Sequence, residues 1–165
     1  MRDGVKKALD KFGKSVIQQS RSRLTKEKKN ASKSLYNSLS YDLKVGKNSF
    51  SLSFEMEGYG KFIDQGVSGT KKKYNTPFKY TSKAPPSQVF IKWARTRGIK
   101  PRDKNTGKFI TNKSFGFIIS RHIFKQGIEP TKFFTKSFEQ QFEKLPDEIV
   151  DAFSLEVEDL FNFTT

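Results

Sequence analysis

Eight consecutive residues alternate strictly between polar and apolar: Ser49, Ser51, Ser53 and Glu55 against Phe50, Leu52, Phe54 and Met56. A side-chain period of two belongs to a strand with one face buried and the other in water. Upstream, Leu39, Tyr41, Leu43 and Val45 alternate in the same way, and Gly46-Lys47-Asn48 between the two runs is short and turn-forming. The pair reads as an antiparallel β-hairpin. Its apolar face needs a cover, because an isolated hairpin is marginal in water.

The remaining periodic segments are helical. Val5, Ala8, Leu9, Phe12, Val16 and Ile17 recur at three- and four-residue steps, which predicts an amphipathic helix from about residue 3 to residue 24 or beyond. Residues 26–33 are polar and basic and read as a helix end or loop, with Asn30 or Ser32 placed to cap a short turn holding Leu35 and Tyr36. A short helix is expected from Tyr59 to Gln65, closed by Gly66, and another over 87–97 with Val89, Phe90 and Trp93 on one side. Phe115, Ile118, Ile119, His122 and Ile123 are spaced for one face of a helix running to about Lys125, which Gly127 is placed to end. Finally Phe138, Phe142, Leu145, Ile149, Phe153, Val157 and Leu160 keep helical spacing through Pro146, so a kink or two abutting helices is expected, with Pro146-Asp147-Glu148 as a helix start. The expected fold class is α+β. A small antiparallel sheet built on the hairpin is packed by the N-terminal helix, the middle helices and a C-terminal helix, in a single domain of residues 1–165.

Charge narrows the function classes. The chain carries 32 Lys and Arg against 17 Asp and Glu, a net +15. Residues 1–136 hold +22 of this and residues 137–165 hold −7, so a basic body precedes an acidic helical segment at about 137–163. Two basic loops are expected, at about 66–88 with Lys71-Lys72-Lys73 and at about 98–112. With no Cys, disulfide scaffolds, Cys-ligated metal and thiol catalysis are excluded, and one His cannot build a multi-histidine metal site. No apolar run reaches the roughly 20 residues needed to cross a bilayer, and no apolar signal core opens the chain, so no membrane partner is expected.

Three classes of function meet the same residues. For catalysis, His122 is expected to pack in the core, and no nucleophile elbow or phosphate-binding glycine pattern is present. Glu55, Asp64 and Lys61 are the residues a metal-dependent nuclease would use, though they read equally as three solvated surface groups. No catalytic residue, metal or cofactor is therefore assigned. For non-specific nucleic-acid binding, the contact candidates are Lys71, Lys72, Lys73, Tyr74, Lys79, Arg95, Arg97, Arg102 and Lys104, with Tyr74, Phe78 and Tyr80 interleaved as a stacking platform would require. The plainer reading of those residues is a lysine-rich wet surface whose aromatics tuck onto the domain. Lysine outnumbers arginine 25 to 7, and base readout favours arginine, so sequence-specific recognition is not expected. For assembly, the acidic tail of one subunit would dock on the basic body of the next, head to tail, which closes into a ring.

Several segments in order resemble the tail-completion and neck proteins of tailed bacteriophages, the group often called HK97 gp10-like. They are Asn30-Ala31-Ser32 followed by Leu35 and Ser38, then the hairpin, then Tyr59-Gly60-Lys61-Phe62-Ile63-Asp64-Gln65-Gly66, and finally Gly127-Ile128-Glu129-Pro130-Thr131-Lys132-Phe133-Phe134 before the last helix. The long segments 67–88 and 89–112 enlarge the usual compact core of that group. The resemblance implies structural roles for Leu35, Ser38, Tyr59, Gly60, Asp64, Gly66, Pro130, Phe133 and Phe134, with no active site and no cofactor. Tyr59, Phe62 and Ile63 would pack a helical turn on the sheet. The implied function is a virion structural protein of the neck or tail, present in the host cytoplasm during assembly. It would form an oligomeric ring that joins the head connector to the tail around the DNA passage. Its implied partners are other copies of itself, other virion neck and tail proteins, and packaged double-stranded DNA. The alternative is a non-specific DNA-binding protein of a phage or mobile element, with a small nuclease third.

Overall fold

The apolar stripe of the first segment folds as α1 (Arg2–Lys26), followed by α2 (Ser34–Ser38), β1 (Ser40–Val45), β2 (Phe50–Glu55), α3 (Gly60–Gln65), β3 (Val67–Ser68), α4 (Ser87–Thr96), α5 (Asn112–Gln126), β4 (Gly127–Ile128) and α6 (Thr135–Phe142). The structure is a computed structural model that describes residues 2–29, 33–46, 49–145 and 149. The expected caps at Asn30 and Ser32, the hairpin turn at Lys47-Asn48, the Pro146 helix start and most of the acidic segment lie outside the described residues. The class is α+β, and the described residues form two compact units. One draws on Met1–Asn30, Ser34–Asp64 and Lys132–Thr165; the other is built mainly from Gln65–Thr131.

In the first unit β1 and β2 pair antiparallel, with Tyr41 opposite Phe54, Leu43 opposite Leu52 and Val45 opposite Phe50. The two-residue period sets this register, since a one-residue slip would turn every apolar side chain to water. Tyr41, Leu52 and Phe54 pack on a core that α1 supplies with Phe12, Val16, Ile17 and Leu24, and the end of the chain with Phe133, Phe134 and Phe138. Four rings meet at its centre. Phe138 lies 5.3 Å from Phe12 and 5.9 Å from Phe54, and Phe54 lies 5.4 Å from Phe134, all edge-to-face. That geometry sets positive ring edges against negative faces. Val45 is 47% exposed; the apolar alternation runs past the point where the core ends.

One polar contact fastens the hairpin to α1. Asp10 accepts hydrogen bonds from Tyr41 Oη and Lys14 Nζ, both at 2.7 Å. The bond from Lys14, then that from Tyr41, holds the Asp10 carboxyl below its ordinary 3.8. A carboxyl lowered in the folded state contributes stability above its unfolded value and loses it as pH falls through the folded one. Asp10→Asn is therefore expected to flatten the fall of melting temperature below about pH 4. Thermal melts across an acid series check this; an acid limb unchanged from wild type would show that the contact contributes nothing.

In the second unit β3 and β4 pair antiparallel, Val67 opposite Ile128. Two residues per strand are too few for alternation to register in a sequence, and this pair falls where only loop was expected. α4 and α5 pack side by side in opposite directions. Positions 85, 91 and 93 of the α4 side meet 120, 116 and 115 of α5. The expected apolar faces of both helices are corrected here. α4 buries Ile91 and Ala94, while Val89 is 59% and Trp93 39% exposed. α5 buries Gly116 and Ser120, and leaves Ile118 and His122 exposed. The cause is close packing: a methyl group on Gly116 would stand 2.5 Å from Ile91 Cγ1, and Ser120 Oγ donates to the Pro85 carbonyl. The small residues of α5, not its apolar ones, face α4. His122 is a surface residue rather than a core histidine.

Candidate interaction surface

Several of the residues singled out by the resemblance form backbone ties or core contacts in the first unit. Ser38 Oγ donates to the Leu35 carbonyl at 3.0 Å and accepts from the Glu57 amide at 3.0 Å, linking α2 to the strand exit. Leu35 is buried against the core. At Gly60 a methyl group would stand 2.6 Å from the Met56 sulfur and 2.8 Å from Leu35 Cδ1, so a side chain there would require the Met56 and Leu35 side chains to move. Ile63 packs on the core, whereas Tyr59 is 44% exposed and does not pack as expected.

Asp64 is the centre of this set. It is fully buried, not a solvated surface group. One carboxyl oxygen accepts from the Phe134 amide at 2.7 Å and the Thr135 amide at 3.1 Å; the other accepts from Thr135 Oγ1. The first amides of a helix have no partner within it, and Asp64 supplies one to α6 from another part of the chain. The Lys132 amide donates to the Asp64 carbonyl at 2.8 Å. Asp64 thus ties the Tyr59–Gly66 motif to the Pro130–Phe134 motif, and Phe133 and Phe134 enter the core beside it. With both oxygens engaged, Asp64 is not available to Glu55 and Lys61 for a metal. Among the described residues no three His, Cys, Asp or Glu side chains converge on one point.

In the second unit Gly66 has φ +77° and its Cβ position lies 2.6 Å from the Ile128 carbonyl and 2.7 Å from the Pro130 nitrogen. Only glycine meets both demands. The loop after β3 is ordered by its backbone. The Thr70 amide donates to the Phe124 carbonyl, and those of Lys71 and Lys72 to the Lys125 carbonyl, at 2.9, 2.9 and 3.2 Å. The loop therefore caps the carbonyl end of α5, where cations are favoured. Lys73 Nζ donates to the Gly69 carbonyl, and Lys72 Nζ lies 5.0 Å from the Tyr74 ring centroid. Tyr74 is half-buried, its amide and carbonyl both bonded to Ser68 Oγ. Tyr80 packs near Phe124, and its burial raises its phenol. These rings are tucked against the unit rather than splayed for stacking. Lys71 and Lys79 are exposed.

The second group of candidates lies elsewhere. Arg95 lies in the last turn of α4, Arg97 caps it, and Arg102 and Lys104 sit on a tight turn whose base is closed by the Ile110 amide on the Pro101 carbonyl. Asp103 builds that turn, accepting from the Asn105 amide, the Thr106 amide and Thr106 Oγ1. The Thr106 amide and hydroxyl, with the Asn105 amide, hold its carboxyl below the usual range. Arg102 lies 4.1 Å over the exposed Phe109 ring. This turn leads into the start of α5, while Lys71 and Lys72 bind its end. The 15 residues of α5 span roughly 22 Å at 1.5 Å per residue, so the structure does not bring the two basic groups together at one point. They share a charge excess instead: Gln65–Thr131 carries 15 basic and 2 acidic residues, +13 of the chain's +15.

The surface that sequence reasoning missed is aromatic. Trp93 of α4 and Phe117 of α5 are 39% and 57% exposed, and Phe109 of the turn before α5 is 61% exposed. The signal for it was Gly116 and Ser120, four apart, which mark the close-packed face of α5 and so turn its apolar residues outward. Compared with protein family models, with curated proteins and with solved structures, the chain matches none.

Proposed function

We propose that this chain is a structural protein of the phage neck or tail, forming an oligomeric ring that joins the head connector to the tail around the DNA passage. The observation that supports this reading is the use of Asp64. The acidic residue of the Tyr59–Gly66 motif is spent on the amides of Phe134 and Thr135, so two segments of the resemblance, 70 residues apart in this chain, are fastened to each other. This is an architectural role rather than a catalytic one. The expected result is a ring with a central opening in negative-stain micrographs of the purified chain, and the chain's presence in purified virions by mass spectrometry. A strictly monomeric chain absent from particles would overturn the proposal.

The +13 on Gln65–Thr131 favours a second reading, non-specific DNA binding. Under it, gel-shift affinity falls steeply with salt, with a log–log slope of about −0.9 per phosphate neutralised. Neutralising Lys71, Lys72 and Lys73 together would lower that slope; unchanged binding would remove the loop from the contact.

A further inference from the structure

α4 and α5 expose apolar surface that their own packing does not use. Val89 and Trp93, four residues apart, share a face of α4, and Ile118 stands on α5 three residues from Phe115. The Trp93 and Phe115 rings stack, with 6.5 Å between centroids and 13° between planes, which joins the two faces into one stripe. Lys92 adjoins it on α4 and Arg121 on α5, both exposed. Contiguous exposed apolar surface of this kind marks an interaction site.

The same chain contains a complementary segment. Ile149 is buried in the first unit. Beyond it, residues 150–165 carry Asp151, Glu156, Glu158 and Asp159 with no Lys or Arg. Phe153, Val157 and Leu160 recur among them at four- and three-residue steps, the spacing of anchors on one helical face.

We propose that residues 150–165 of one copy seat on the Val89–Trp93–Ile118 stripe of a second copy, with the segment's carboxylates facing Lys92 and Arg121. The inference rests on the assembly reading above and names the contact that carries it. Apolar anchors meet the apolar stripe while opposite charges frame it, which nucleic acid could match only in charge. Because donor and acceptor are different surfaces, the contact is heterologous and each copy uses both.

The test is light scattering after gel filtration of the full chain and three variants. Val89→Glu/Ile118→Glu disables the acceptor, and Asp151→Lys/Glu156→Lys/Glu158→Lys/Asp159→Lys disables the donor. Each is expected to be monomeric with the circular dichroism of wild type. Mixed in equal amounts they are expected to form a heterodimer and stop there, since one working donor and one working acceptor remain per pair. Lys92→Glu/Arg121→Glu alters only exposed charges, and combining it with the donor reversal in one chain is expected to restore the oligomer. If wild type is oligomeric and the variants keep its mass, this contact is overturned and the ring reading stands. If wild type is monomeric at every concentration, this contact is overturned, and the ring reading falls with it where the chain is also absent from purified virions.

Discussion

Phe138→Ala is expected to destabilise the first unit by about 4 kcal/mol, the usual cost of deleting a buried ring and leaving its cavity. Phe138 is 1% exposed and stands among Phe12, Phe54, Phe134 and Phe142, at centroid distances from 5.3 to 6.3 Å. These neighbours come from α1, β2 and the end of the chain, so no single element can move in to fill the void. The edge-to-face contacts add to the loss. Phe138→Leu keeps most of the volume and is expected to cost about 1 kcal/mol. Denaturant unfolding of both variants checks the pair; equal, small losses would show that the rings do not form the centre of the core.

Asp64→Ala is expected to cost about 3 kcal/mol, roughly 10 °C in melting temperature, because the amides of Phe134 and Thr135 lose their acceptor in a buried setting. Asp64→Asn keeps one acceptor oxygen and is expected to lose about half as much. Asn nearly matches Asp in volume, so a residue that merely fills space would tolerate Asp64→Asn without loss; a clear loss on that change identifies the acceptor role. Hydrogen exchange gives a second reading, since the first amides of α6 are expected to lose protection before the hairpin does.

The hairpin and α1 were legible because their information is local. A two-residue period fixes which face of β2 is wet, and a three- to four-residue period does the same for the helix. The outer faces of α4 and α5 were misread for the opposite reason. Hydropathy assigns Trp93 and His122 to a core, but the contact between the helices is decided by how closely two backbones approach, and Gly116 and Ser120 set that. Asp64 looked like a surface carboxyl because its partners are main-chain amides, which no residue name reveals. The same holds for Lys71 and Lys72. Their charges are plain in the sequence, while their amides, bonded to the end of α5, are what order the loop.

The bond from the Lys132 amide to the Asp64 carbonyl has a topological consequence. The first unit releases the chain at Asp64 and takes it back at Lys132, two points already fastened together, so everything between them is a closed excursion from its fold. Closing such an excursion costs chain entropy that grows only as the logarithm of its length. Lengthening or shortening residues 65–131 therefore costs the first unit little in chain entropy. Since that excursion also holds nearly all the surplus positive charge, the chain keeps its core on one stretch and its electrostatics on another.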